Sequence, residues 1–494
     1  MYSIDKMKKG EISSLFHYTG FMCIFIGLLM LLPIVVAFIY GEIKYILPFV
    51  YSSLISLVLG VSLFVGFKKK GDLSLRGAMI FSTVIWLIAS ALSALPFYFS
   101  GDLSYIDGYF EAMSGYTTTG FSMYSNLNAV TYTMDFWRGF MQWLGGVGII
   151  VLALTVLSSP GVNLMRLYSA EGREDRILPS IRNTARAILK VYVLYTVIGF
   201  VLFILAGMPV FDSVFYTFSA LSTGGFGMQN ASIAFYHNIW IEIVAMIIMI
   251  IGATNFALNY TVLTGHWKEY FKDIETKVSW PLIIIGTIIV TVFLYNSPYY
   301  GHNILLSLRY AIFQVISAIT TTGLQTSSGP DIVNQYAGLG IFILTLLMVI
   351  GAGSGSTGGG IKWIRIGIMV KSVWWEIKSF LLPQSAVISH KVHHVKTITA
   401  DENLLRLTGL FVFVYLMVYV ISSIIVMFYY HNVSQVLFEV ASAVSNVGLT
   451  TSLITTTSPV IVKLTFIADM WIGRLEIWPV LLLVAIGVSN IIRK

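Results

Sequence analysis

Four short polar segments, each closed by a glycine and flanked by apolar stretches, recur along this chain. They are loop 1 (117–120, TTTG), loop 2 (222–225, STGG), loop 3 (320–323, TTTG) and loop 4 (445–448, SNVG). The closing glycines are 105, 98 and 125 residues apart, which leaves room for two membrane crossings between consecutive loops. Four such loops predict a fourfold ring of backbone carbonyls, an arrangement that replaces the hydration shell of a monovalent cation.

Composition restricts the fold to a membrane protein. Of the 494 residues, 57% are apolar and only 11% are charged, so we predict an all-α polytopic membrane protein. The single cysteine, Cys23, lies in an apolar run and cannot form an intrachain disulfide. The apolar stretch at about 21–40 is too long for the core of a signal peptide, and we interpret it as a retained first helix.

Basic residues concentrate in loops that the hydropathy pattern places on one side. They lie in the ranges 6–9, 68–76, 166–190, 268–277, 362–406 and 493–494, with Lys44, Arg138, Arg309, Lys463 and Arg474 as exceptions. The positive-inside rule then predicts a multi-pass protein of the cytoplasmic membrane, with both termini in the cytoplasm. The net charge of +7 is therefore no sign of a nucleic-acid partner, because the basic loops form no separate domain.

The apolar runs predict ten membrane spans. The first two, 16–40 and 44–67, enclose no polar loop, whereas the next eight form pairs around loops 1 to 4. These pairs are 75–99 with 134–158, 183–206 with 236–263, 280–296 with 335–380, and 402–429 with 460–490. We therefore predict an N-terminal helix pair in 1–70 and four helix–pore loop–helix repeats around one pore, in 71–165, 166–265, 266–385 and 386–494. Non-helical backbone at membrane depth is tolerated where it is buried in protein or lines water.

Each loop would contribute its backbone carbonyls to a potassium site. The candidate ligands are Thr117, Thr118, Thr119, Gly120, Ser222, Thr223, Gly224, Gly225, Thr320, Thr321, Thr322, Gly323, Ser445, Asn446, Val447 and Gly448. Glycine suits the unusual dihedrals of such a loop, and a short helix before each loop would turn its negative C-terminal end toward the cation. We also expect the hydroxyls at the first position of each loop to form an inner ring of oxygens. The alternative is four polar loops, or small residues at helix contacts, without an ion site.

Three further motifs accompany these loops. They are DFWRGFMQWLGGVGII (135–150), GSGSTGGGIKWIRI (353–366) and WIGRLEIWP (471–479). With them, the chain resembles the Trk/Ktr/HKT superfamily of cation transporters over nearly its whole length, and most closely the TrkH branch, which has an extra N-terminal helix pair. The resemblance implies one pore per protomer, a homodimer and potassium selectivity, since all four loops keep the glycine; sodium-selective relatives have serine in the first. It also implies a cytosolic TrkA-like ring that binds the regulatory nucleotide, which this chain does not bind.

A glycine-rich segment (351–360, the glycine loop) interrupts the apolar run of the third pair. Its glycines are Gly351, Gly353, Gly355, Gly358, Gly359 and Gly360. The G-x-G-x-x-G match within it does not predict a nucleotide site, because membrane spans flank it instead of a strand and a helix. Glycine at this density breaks a helix, so the segment is either a kink between packed helices or a flexible gate. The resemblance implies a gate that blocks the pore and moves when it opens.

Arg474 would lie in the middle of the last span. A charge at that depth is costly and suggests a function. One interpretation is a structural ion pair with Asp469 or with a carboxylate on another helix. The resemblance instead implies that Arg474 projects into the pore beside the glycine loop and acts as an electrostatic barrier to cations.

The remaining candidates are charged groups outside the predicted pore. Asp102, Asp107, Asp212 and Asp331 are expected to make the outer vestibule mildly acidic. His390, His393 and His394 carry no cysteine or carboxylate close in sequence that would complete a metal site, so we interpret them as a solvated basic loop. The loops 160–190, 264–279 and 362–402 are large enough to dock a partner. Potassium symport coupled to sodium or protons, a membrane enzyme or receptor using the three histidines, and a structural scaffold remain as alternatives.

Overall fold

The computed structural model describes residues 9–68, 73–148, 181–327, 329–383 and 390–492. Within these ranges the chain is mostly helical, as the composition predicted. The helices of the first half are α1 (Lys9–Leu29), α2 (Leu32–Tyr40), α3 (Ile46–Gly66), α4 (Leu75–Ser93), α5 (Leu95–Phe99), α6 (Tyr105–Tyr116), α7 (Tyr132–Val147), α8 (Ile181–Leu205), α9 (Val210–Leu221), α10 (Ile239–Ala253) and α11 (Phe256–Leu263).

The second half contains ten more helices and one hairpin. They are α12 (Lys268–Lys272), α13 (Ile274–Tyr295), α14 (Ile304–Ile319), α15 (Gly329–Gln335), α16 (Leu339–Ile350), α17 (Trp363–Leu381), β1 (Lys391–His394), β2 (Lys396–Thr399), α18 (Glu402–Met427), α19 (Val433–Val444), α20 (Val460–Arg474) and α21 (Trp478–Ile492). Short 3₁₀ turns at Ile43–Tyr45, Leu127–Ala129, Ser232–Tyr236 and Pro298–Tyr300 complete the list.

Several of these helices can cross a membrane. In the described part of the chain, six are long and apolar enough, and a seventh crossing results if the bent pair α10–α11 counts as one. The N-terminal pair packs backbone against backbone, because a side chain on Gly20 of α1 would lie 2.5 Å from the amide of Phe64 in α3. Small residues at such positions let apolar helices approach closely in lipid.

The second helix of the last three predicted pairs is not continuous. Helices α10 and α11 meet at 108°, the glycine loop separates α16 from α17, and residues 475–477 separate α20 from α21. The predicted spans 236–263, 335–380 and 460–490 are therefore broken spans. The first of these breaks has a local cause, since the side chain of Asn255 caps the start of α11 by accepting from the amides of Ala257 and Leu258. The predicted span 134–158 starts as α7 and ends at Val147; its second half lies outside the described residues.

The β-hairpin was not predicted. Strands β1 and β2 pair antiparallel, with Lys391 opposite Thr399 and His394 opposite Lys396. Val392 turns inward and joins Ile274 and Ile368 in a small apolar cluster, which attaches the hairpin to α13 and α17. The hairpin belongs to the basic range 362–406 and contacts Glu269 and Asp273 in the basic range 268–277; we call this part of the molecule the basic side.

Ion pairs join helices that belong to different predicted repeats. Lys463 of α20 contacts Asp107 of α6 over 2.5 Å, and both side chains are almost fully buried. Arg309 of α14 contacts Glu242 of α10 over 2.7 Å. These contacts join the fourth predicted repeat to the first and the third to the second.

Candidate functional site

Each of the four loops starts where a short helix ends. Helices α6, α9, α14 and α19 stop at residues 116, 221, 319 and 444, one residue before loops 1 to 4. All four bring their C-terminal carbonyls, the negative end of the helix dipole, to the start of a loop. The arrangement favours a cation at the point where the loops meet.

The four loops share one backbone conformation. The second residue of each loop is left-handed although none is glycine: Thr118, Thr223, Thr321 and Asn446 have φ between 52° and 55°. The closing glycine also has positive φ in every loop, between 77° and 99°. Left-handed non-glycine residues cost about 1–2 kcal/mol each, and such strain concentrates at functional sites. Loop 4 keeps this conformation although its sequence, SNVG, departs most from TTTG.

The loops close into a ring through their glycines. A side chain on Gly120 would meet the carbonyl oxygen of Gly224 far inside van der Waals contact, and each of the other three glycines faces the next loop in the same way. The pairs continue as Gly225 with the carbonyl of Thr322, Gly323 with that of Val447, and Gly448 with that of Thr119. The order 1–2–3–4–1 is cyclic. Glycine is therefore required here for close approach of backbones as well as for dihedral freedom.

The first hydroxyl of each loop forms a hydrogen bond outside the ring, and the inner ring of hydroxyls stays a prediction. Thr117 donates to the carbonyl of Met113 over 2.7 Å, and Thr320 donates to that of Ile316 over 2.6 Å. Ser222 bonds back to Ser219, and Ser445 bonds to the hydroxyl of Tyr415. A Ser or Thr at the end of a helix readily satisfies a carbonyl of the preceding turn, and the hydroxyls of Thr117, Ser222 and Thr320 do so.

Two buried carboxylates stabilise the ring through the segments that follow loops 1 and 4. Glu111 and Glu439 both stand six residues before their loop, and both are fully buried. Glu111 accepts from the amide of Met123 over 2.7 Å, and Glu439 accepts from the amide of Thr451 over 2.6 Å. Each carboxylate thus fixes the chain that leaves its loop, and neither replaces the carbonyls.

A cavity of about 460 Å³ opens on the glycine side of the ring, and all four closing glycines line it. The expectation of an acidic lining is wrong, because Arg138 is the only charged residue among the described residues that line the cavity. Asp107 is bound to Lys463 instead, and Asp212 accepts from the hydroxyl of Tyr236 over 2.5 Å. Asp102 lies near two tyrosine hydroxyls, and Asp331 is not among the lining residues.

The charge of Arg138 is compensated. Its guanidinium lies 2.7 Å from the carboxylates of Glu111 and Asp135 and 3.1 Å from the carbonyl of Gly227 in the next repeat. The positive charge of Arg138 therefore has only a weak effect on the electrostatic potential in the cavity.

The glycine loop lies against the other side of the ring. The cavity left there measures only about 30 Å³ and is lined by Gly355, Ser356, Gly358, Gly359 and Arg474, among others. That volume holds about two water molecules, too few for a hydrated ion. The amide of Gly359 donates to the hydroxyl of Thr321 in loop 3 over 2.8 Å. Gly351 and Gly360 have positive φ and pack against each other, which closes the base of the loop.

Thr357 is the contact point between the glycine loop and the ring, and the sequence analysis missed it. Its hydroxyl lies 3.0 Å from that of Thr223 in loop 2. The same hydroxyl is within hydrogen-bond distance of the carbonyls of Leu221 and Gly252. The side chain is fully buried. No sequence signal distinguished this threonine, because its partners lie more than 100 residues away.

Arg474 ends α20 at the break and is not in the middle of a continuous span. Its guanidinium donates to the carbonyl of Thr357 and to that of Gly145, each over 2.5 Å. Asp469, one of the partners considered from the sequence, accepts from the hydroxyl of Ser422 over 2.6 Å. The positive charge of Arg474 thus stands beside the glycine loop, directly beneath the ring.

A second cation, Lys362, also reaches the glycine loop and was not anticipated. Its side chain is 5% exposed, and its Nζ donates to the carbonyl of Gly358. Glu476 pairs with Arg365 over 2.5 Å. Two cations therefore contact the segment that closes the small cavity.

The three histidines separate in the structure. His390 stacks on Trp375, and His393 lies 3.0 Å from Glu269. His394 is buried and lies 3.3 Å from Asp273, with Glu275 in the same cluster. The interpretation as a solvated loop is wrong for His394, which is buried beside two carboxylates from residues about 120 positions earlier in the chain.

Asp273 stands just before α13 and is buried. Burial raises the pKa of this carboxyl, but the neighbouring His394 and the amides of Val395 and Glu275 outweigh it and leave the pKa below its usual range. Asp273 is therefore ionised at neutral pH and holds His394 by a charge-assisted hydrogen bond.

Four helix-borne loops that meet at one centre within a bundle of membrane-spanning helices define a membrane transport protein. The chain belongs to the TrkH family: the model of this family, described as a cation transport protein, matches residues 49–490. This is a family of transporters and not of enzymes.

Relatives agree with this assignment over most of their length. The chain is 34% identical to an uncharacterised cation transporter of Methanocaldococcus jannaschii, over 98% of this chain and 97% of that protein. It is 32% identical to the Trk system potassium uptake protein TrkH of Escherichia coli K12, over 84% and 86% of the two chains. The crystal structure of the potassium transporter TrkH from Vibrio parahaemolyticus superposes with a TM-score of 0.83 at 27% identity and covers 96% of this chain and 98% of that one.

Proposed function

We propose that this chain is the pore-forming subunit of a Trk-type potassium uptake system. Potassium would enter the outer cavity, lose its water in the ring of loops 1 to 4, and pass the glycine loop and Arg474 into the cytoplasm. The movement is gated permeation down an electrochemical gradient. A membrane potential, negative inside, contributes about 2.3 kcal/mol per charge per 100 mV to it.

The cyclic contact of the four glycines with the neighbouring carbonyls is the observation that carries this proposal. Four loops of unequal sequence adopt one strained backbone, which helix packing alone does not require. Backbone carbonyls offer partial charges, so an ion binds without being trapped. The C-terminal ends of α6, α9, α14 and α19 add to the preference for a cation.

The loop glycines and the names of the relatives both support potassium as the transported ion. The glycine is present in all four loops, and several relatives are named potassium uptake proteins. The small cavity and the contacts of Thr357 and Arg474 support a closed gate in the glycine loop.

The assembly that we propose follows from the family. Two protomers form a homodimer in the cytoplasmic membrane, with both termini in the cytoplasm, and each protomer has its own pore. The predicted boundaries at 70, 165, 265 and 385 divide the N-terminal pair and the four repeats. A cytosolic TrkA-like ring binds the regulatory nucleotide and docks on the basic loops.

The test is ion flux into liposomes that contain this protein alone, with potassium or sodium gradients and a clamped potential. Potassium flux should follow the potential, and Gly120→Ser should lower potassium selectivity, because the added side chain meets the carbonyl of Gly224. Gly409→Ala is the matched control, since nothing lies within 4 Å of its added carbon.

Other outcomes decide between the alternatives. Flux that requires a sodium or proton gradient would show coupled symport. Flux that appears only with a cytosolic partner would support a closed gate that the partner opens. Equal sodium and potassium flux would contradict a selective ring. Loss of transport on replacing His390, His393 and His394 together, in protein that is still folded, would favour a role for the histidines that this mechanism does not include.

A further inference from the structure

The glycine loop is held from two sides. On the ring side it bonds to Thr321, Thr223 and Arg474. On the basic side the contacts converge on Ser354, whose amide donates to Glu275 over 2.6 Å and whose hydroxyl lies 3.2 Å from Nε2 of His394. The second set of contacts plays no part in lining the ring or the small cavity.

His394 connects Ser354 to the β-hairpin on the basic side. It is the last residue of β1, and its Nδ1 lies 3.3 Å from Asp273. The second carboxylate oxygen of Asp273 accepts from the amide of Val395 over 2.8 Å. Since Asp273 accepts at Nδ1, that nitrogen carries the proton, and Nε2 is left to hydrogen-bond with the hydroxyl of Ser354. The imidazole thus has a fixed orientation.

We propose that His394 is a positioning residue that latches the glycine loop in its closed conformation, through Ser354, to the hairpin 391–399. The latch deepens the proposed function and rests on it, because it assigns a regulatory contact to the same gate. Moving the glycine loop away from the ring displaces Ser354 and breaks its bond to His394. A displacement of the hairpin therefore favours opening, and the closed loop holds the hairpin in place.

The accessibility of a cysteine at Ser356 measures the latch directly. Ser356 is 6% exposed and lines the small cavity, so a bulky thiol reagent reaches Ser356→Cys only when the loop moves. Cys23, the one native cysteine, is buried and is replaced by alanine in the background. The rate of modification is measured in full-length protein in liposomes, with reagent on the basic side.

Loss of the latch should raise the rate of modification about three- to tenfold, as expected for one lost hydrogen bond. His394→Ala and Ser354→Ala should each have this effect, and the double variant should be modified no faster than either single variant. His394→Gln places a polar group near the position of Nε2 and should restore part of the protection. His393→Ala is the matched control, because His393 lies on the same strand and contacts Glu269 and Thr397 instead.

The outcomes separate the latch from the gate. Unchanged modification in folded Ser354→Ala and His394→Ala, or additive effects in the double variant, would overturn the latch and leave the proposed pore intact. Faster modification without a change in potassium flux would support the latch but contradict the role of the glycine loop as gate. A chelator is also added to protein that keeps both Ser354 and His394. If it speeds modification, the hydrogen-bonded latch is overturned, and a cation held by Asp273, Glu275 and His394 takes its place.

Discussion

The guanidinium of Arg474 donates a hydrogen bond of 2.5 Å to the backbone carbonyl of Thr357. The bond joins the end of α20 to the middle of the glycine loop. A second bond from the same guanidinium reaches the carbonyl of Gly145 at the end of α7. Arg474 therefore combines two effects at one place, a positive charge beneath the ring and a tether on the segment that closes it.

Replacing Arg474 should make the pore leak. Arg474→Met keeps much of the length of the side chain but removes the charge and its hydrogen bonds to Thr357, Gly145 and Thr118, so the barrier to cations falls and the loop loses a tether. Basal potassium flux in liposomes should rise about tenfold or more, since hydrogen bonds to charged groups contribute about 1.5–3 kcal/mol.

Arg474→Lys separates the two effects. It keeps the charge but not the paired donor geometry, and its flux should lie between those of the native protein and Arg474→Met. Unchanged flux in both variants would show that Arg474 is only a structural residue.

The hydroxyl of Thr357 should hold the glycine loop against the ring. Thr357→Val keeps the shape of the side chain and removes the contacts with Thr223 and with the carbonyls of Leu221 and Gly252. We expect the closed conformation to lose about 1 kcal/mol, which raises basal flux about fivefold. The matched control is Thr345→Val on α16, whose hydroxyl bonds only to the preceding turn among the described contacts. Equal changes in the two variants would count against this role of Thr357.

Gly323 should tolerate no side chain. Its added carbon would meet the carbonyl of Val447, and its φ is 84°. Gly323→Ala should lose about 2–4 kcal/mol through overpacking and left-handed strain and lower the thermal unfolding midpoint in detergent. Gly409→Ala should keep or slightly raise the midpoint, because alanine favours a helix. A native midpoint with native potassium selectivity in Gly323→Ala would refute the close contact between loops 3 and 4.

The pair of Lys463 and Asp107 should stabilise the contact between α20 and α6. Lys463→Met leaves a buried carboxylate without its cation, which costs about 3–5 kcal/mol and lowers the unfolding midpoint. The double variant Lys463→Met with Asp107→Leu should recover most of this loss, since no charge is left unpaired.

Lys272→Met is the control for that series. Lys272 pairs with Glu269 at an exposed site, where solvent screens the interaction, and its loss should leave the midpoint unchanged. If Lys463→Met also left the midpoint unchanged, the buried pair would contribute nothing to the assembly of the ring.

The sequence predicted the structure well where the relevant pattern was local or repeated along the chain. Apolar runs gave the helical membrane fold, and the repeated glycine-ended triplets located the loops that meet in the structure. It did not predict the hydrogen bonds that the first hydroxyls of the loops form with their own helices or with a neighbouring side chain. It also failed at Asp107, whose partner Lys463 lies 356 residues away and takes it out of the outer cavity.

The sequence by itself determined that this chain is a helical membrane protein with four equivalent loops, because apolar length, charge bias and spacing are properties of the chain alone. Only the tertiary structure decided that loop 4 shares the backbone of the others and that the glycines close a cyclic ring. It alone brought Thr357 of the glycine loop against loop 2, Arg474 against Thr357, and His394 against Asp273. These contacts join residues more than 100 positions apart, and packing in three dimensions, with no trace in local pattern, selects which distant groups meet.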